Sequence, residues 1–126
     1  MVVVQIILVL ALMEYMVLGF SAGRARVKYD IKAPATTGHP IFERHYRVHQ
    51  NTMEQLIVFI PALLLFSYYV SARYGAILGA LFVLARGVYA IGYVRDPEQR
   101  AYGAGLTFLV NTILVIGSVI GLLRVH

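Results

Sequence analysis

Four long apolar stretches leave this sequence few ways to fold. They run from Val2 to Phe20, from about Leu56 to Ala72, from Gly75 to about Tyr93, and from Tyr102 to Leu123. Each approaches the ~20 residues that carry an α-helix across a hydrocarbon layer. In lipid every backbone polar group must be satisfied within the protein, so helix is the natural conformation. Hydrophobic residues make up 60% of the 126 residues and charged residues 13%. A soluble domain carries roughly a quarter charged residues, and a chain this short cannot hide so much apolar surface in its own core. The expected fold is all-α: one integral membrane four-helix bundle, with helices at approximately 2–24, 43–72, 75–94 and 97–123. The first stretch has no basic residue ahead of it and is too long for a signal-peptide core, so it reads as a retained span. The absence of cysteine excludes disulfides, thiolate metal sites and cysteine nucleophiles.

The connections are unequal. Only Ser71-Ala72-Arg73-Tyr74 separates the second and third spans. A polar turn from Val94 to Arg100 separates the third and fourth, with Pro97 placed to start a helix. A long segment from Ser21 to about His45 joins the first two, and its Ala33–Pro40 part reads as irregular loop. Four spans put the long segment and the polar turn on one side. That side holds Arg24, Arg26, Lys28, Lys32, Arg44, Arg47, Arg95 and Arg100, with Arg86 near the helix end. The other side holds only Arg73 and Arg124. The asymmetry predicts cytoplasmic loops and external termini. The net charge of +5 is therefore a matter of membrane orientation rather than of nucleic-acid binding. The chain's shortness and the lack of an organelle retention signal suggest a bacterial inner membrane.

Charges inside a bilayer are costly and face a bundle interior or a cavity. Arg47, Asn51 and Glu54 are spaced i, i+4, i+7 and share one helical face. Arg86, Tyr89 and Tyr93 share a face in the same way near the end of the third helix. Arg100 begins the next helix at the same level. Arginine forks match carboxylates, a glutamate matches an amine, and asparagine and tyrosine supply neutral hydrogen bonds. Such a pocket suits an amphoteric ligand with several anionic groups. Glutathione fits, with two carboxylates, an ammonium and a thiol that a nearby arginine would favour as the nucleophilic thiolate.

The same residues admit a structural reading. Arg47 and Glu54 could pair across two turns, Arg86 could snorkel to the interface, and the tyrosines could belong to an aromatic belt. Glu14 reads as a bundle contact rather than a catalytic group, either neutral or paired with Asn111 or with a residue of another subunit. His39, His45 and His49 do not make a convincing metal triad, so no metal site is expected.

Three stretches resemble the family of membrane-associated proteins in eicosanoid and glutathione metabolism, MAPEG. They are Thr36-Thr37-Gly38 with Phe42-Glu43-Arg44-His45-Tyr46-Arg47; the run Arg47-Val48-His49-Gln50-Asn51-Thr52-Met53-Glu54, close to the family's R-x-x-x-N-x-x-E signature; and Ala85–Tyr93 followed by Arg100. The resemblance covers nearly the whole chain. It implies a homotrimer with glutathione at the subunit interfaces. It also implies that Arg26, Arg47, Asn51, Glu54, Arg86, Tyr89 and Tyr93 bind glutathione and that Arg100 activates the thiolate. The expected activity is glutathione transfer to apolar electrophiles arriving from membrane lipid, with peroxidase activity toward lipid hydroperoxides alongside it. Two departures, Gln55 where the leukotriene C4 synthase branch has tyrosine and Val27 where it has arginine, argue against leukotriene synthesis itself. The competing expectations are a non-catalytic lipid- or glutathione-binding member of the family and a small multidrug transporter, the latter suggested by Glu14.

Overall fold

A computed structural model describes residues 1–125. Four helices follow one another: α1 (Val2–Lys28), α2 (Pro40–Tyr69), α3 (Ala72–Arg95) and α4 (Arg100–Val125), with a 3-10 turn at Pro97–Gln99 before α4. All four spans are long and apolar enough to cross a membrane. The central pair is α2 and α3. Each touches the other three helices, whereas α1 and α4 lie at the periphery.

The helix ends differ from the sequence expectation for local reasons. Helix α1 continues four residues beyond the expected stop, because Arg24 to Lys28 contains no breaker and basic residues suit a helix C-terminus. Helix α2 begins at Pro40 rather than residue 43. There proline takes the first turn, and His39 Nδ1 accepts the Ile41 amide at 3.1 Å as the cap. Helix α2 ends at Tyr69 and α3 begins at Ala72, three residues earlier than expected in each case. The cause is Ser71, whose hydroxyl accepts the Tyr74 amide at 3.2 Å. Pro97 starts a 3-10 turn capped by Asp96 rather than α4 itself, which begins at Arg100.

The dry core lies between the two central helices. The rings of Phe59 and Phe82 stack with centroids 3.7 Å apart, and Leu63, Leu114, Val110 and Val4 close around them. Outside this core the bundle remains apolar. Val27, Phe20, Phe108, Met16, Ile57 and Leu84 are all exposed, Val27 to 82%. A surface of this kind needs lipid or another subunit rather than water.

Candidate functional site

At the loop end of the bundle, α2, α3 and the start of α4 diverge around a cavity of about 720 Å³. Its lining includes Arg47, Asn51 and Glu54 from α2, Tyr89 and Tyr93 from α3, and Arg100 from α4. These are six of the eight residues expected from the sequence. The one-turn spacing of each set gives it a single face, and the packing of α2 on α3 turns those faces toward one another. The volume falls in the range of small-ligand sites, ~300–1,000 Å³.

The cavity also takes in Gln50 and Glu98. Gln50 was legible as a fourth member of the face holding Arg47, Asn51 and Glu54, being three residues from Arg47 and four from Glu54. Glu98 carried no periodic signal, because it belongs to the 3-10 turn. With two arginines, two glutamates, amides and phenols, the wall offers complementary groups to both ends of an amphoteric ligand.

Arg86 does not stand in the lining. It is wholly buried beneath it, so it is not an interfacial snorkelling residue. Its Nη2 donates to Asn51 Oδ1 at 2.9 Å and to Thr52 Oγ1 at 2.8 Å, and its Nη1 donates to Thr107 Oγ1 at 3.5 Å. The guanidinium also lies 4.1 Å from the Tyr89 ring centroid, within cation–π range. One side chain of α3 thus ties α2 and α4 together and fixes two residues of the cavity wall. Thr52 and Thr107 were not singled out from the sequence. Threonine in an apolar helix gives no signal of its own, because its hydroxyl can bond a carbonyl one turn back, as Thr107 does to Gly103.

Gly103 explains how α4 comes so close. A β-carbon at this position would lie 2.6 Å from Tyr89 Cα, so only glycine lets α4 press directly on the α3 backbone beside the cavity. Arg44 closes the same end by donating to Val94 O at 3.1 Å, which satisfies a carbonyl of the last turn of α3. Arg100 lies exposed at the rim, and its Nη1 donates to Pro97 O at 2.9 Å.

Arg26 is not brought to the cavity within this chain. Its Nη1 donates to Ala35 O at 2.8 Å and to Ile31 O at 3.4 Å, and its guanidinium lies 4.8 Å from the Phe42 ring centroid. It clamps the loop between α1 and α2. Nor does Glu14 pair with Asn111, whose Nδ2 donates to Gln55 Oε1 at 3.1 Å. The three histidines serve separate contacts: His39 caps α2 and stacks on Tyr29, His49 stacks on Tyr15, and His45 lines a groove between α1 and α3.

The fold and the site together describe a multi-pass helical membrane protein with a cavity lined by charged and polar side chains at the loop end of its bundle. The sequence profile of the MAPEG family matches residues 4–120, and the chain belongs to that family. It is 47% identical over 118 residues to an uncharacterised protein of Synechocystis, covering 94% of this chain and 86% of that one. It is 39% identical over 99 residues to mouse microsomal glutathione S-transferase 2, covering 79% of this chain and 67% of the relative. Bovine leukotriene C4 synthase is 31% identical over 99 residues, covering 79% of this chain and 66% of the synthase.

Proposed function

We propose that the protein is a membrane-bound glutathione transferase that joins the glutathione thiolate to apolar electrophiles. The family and the named relatives support a glutathione-related transferase or synthase function. The observation that carries the finer reading is the single cavity shared by Arg47, Asn51, Glu54, Tyr89, Tyr93 and Arg100. Arg47 and Arg100 supply cations for anionic groups, Glu54 matches the ammonium, and Asn51 and the phenols hydrogen-bond the peptide units. Arg86 acts from beneath by holding Asn51 and Tyr89 in place. In a homotrimer, Arg26 would have to act on a neighbouring subunit's cavity to serve as a ligand.

On this reading Arg100 stabilises the thiolate, which attacks the electrophile's carbon and displaces its leaving group or opens its ring. Glutathione enters from the cytoplasmic side, and the electrophile enters laterally from lipid. A lipid hydroperoxide would be reduced at the same site, with two glutathione molecules oxidised to the disulfide and the peroxide converted to alcohol and water.

Titrating the purified protein with glutathione should produce thiolate absorbance in the ultraviolet. Arg100→Ala should lower the conjugation rate with a model electrophile about 10²–10³-fold, the usual cost of removing one charge-stabilising group, while changing glutathione affinity far less. Glutathione binding without thiolate absorbance or turnover would instead identify a non-catalytic binding protein.

A further inference from the structure

Glu14 is the only charged residue between Val2 and Gly23. The cavity does not use it, since α1 contributes no residue to the cavity wall. Its Oε1 is nonetheless buried without a hydrogen-bond partner. Across from it, α3 presents Gly87, where a β-carbon would lie 3.7 Å from Glu14 Oε2. The lack of a side chain there leaves the carboxylate against the α3 backbone, one residue from Arg86. The Arg86 guanidinium has both terminal nitrogens engaged by α2 and α4, while its Nε is buried and also without a partner. One orphaned acceptor on α1 and one orphaned donor on α3 lie in the same part of the bundle, the carboxylate against Gly87 and the guanidinium on the residue before it. Charges persist in such surroundings when they are compensated.

We infer that Glu14 is the counter-ion of Arg86 and a positioning residue for the cavity. It faces the Nε edge of the guanidinium through one bridging water, since the two side chains make no direct hydrogen bond. The opposite edge then stays committed to Asn51 and Thr52. The chain of influence runs from α1 through α3 to the wall formed by α2, and it gives α1 a part in a site it does not touch. Without Glu14 the guanidinium would carry an uncompensated charge and its hold on Asn51 would loosen. The consequence for glutathione rests on the function proposed above; the pairing itself does not.

A double-mutant cycle on the full-length protein in detergent tests the pairing. Glu14→Gln and Arg86→Met should each lower the melting temperature, and the double variant should melt no lower than Arg86→Met alone. Additive losses would overturn the pairing. Accumulation of Arg86→Met in the membrane only when Glu14→Gln is also present would support it. Equilibrium dialysis with labelled glutathione tests the positioning role. Glu14→Gln should raise Kd about tenfold, within the coupling measured for residues of one network, with the maximal conjugation rate reduced less than twofold. An unchanged Kd would confine Glu14 to stability and overturn the positioning role. If the wild-type protein bound no glutathione, the proposed function would fail, while the melting cycle would still decide the pairing.

Discussion

The two ends of the α2–α3 interface solve the same packing problem with opposite chemistry. In the dry half, Phe59 stacks on Phe82 at 3.7 Å among leucines and valines. At the loop end, Arg86 fills the equivalent space between helices with a charge held by Asn51, Thr52 and Thr107. The dry half depends on volume and shape, which neighbouring side chains can partly readjust. The polar layer depends on every donor finding its acceptor, so a single loss leaves another group stranded. This division leaves the dry half to hold the bundle while the polar layer arranges the cavity.

Three substitutions would break or sharpen that contrast. The largest effect is expected from Phe59→Ala, which should cost about 3–5 kcal/mol of stability through the cavity it leaves. Its glutathione affinity should stay near wild type in the fraction that remains folded. Thermal unfolding in detergent and equilibrium dialysis would measure the two separately, and a parallel loss of affinity would show that the halves are not independent.

Gly103→Ala should cost about 1–3 kcal/mol, the range for forcing an extra methyl into a packed contact. Because its new β-carbon meets the Tyr89 backbone, this variant should also weaken glutathione binding. A stability loss with affinity intact would mean that α4 can shift without disturbing the Tyr89 wall.

The smallest effect should come from Arg26→Ala. Loss of two carbonyl hydrogen bonds and one cation–π contact on a half-exposed side chain should cost about 1 kcal/mol. The readout is faster proteolysis within the loop at 29–39. A large loss of glutathione affinity with no change in proteolysis would instead place Arg26 in a binding site, where the family resemblance puts it.

Much of this organisation was legible before the structure. The length and apolarity of four stretches fixed the number of spans, because lipid leaves the backbone no other conformation. Helical periodicity fixed the faces of six polar residues, and five of those six meet, with Arg100, in one cavity. Helix ends were read less well, because His39, Ser71 and Asp96 decide them through single capping contacts.

What the sequence by itself determined was a set of four helices, the second and third each with one polar face near the basic side. Tertiary structure decided how deep each polar group lies and what it touches. Arg86 and Arg100 looked alike as basic residues near the ends of neighbouring helices, yet one is wholly buried and the other stands at the rim. Arg26 turned to its own loop. The reason is geometric. Periodicity specifies the direction of a side chain about its own helix axis, but depth depends on where a second helix passes. That passage is set here by contacts such as Gly103 against Tyr89, which no single helix encodes.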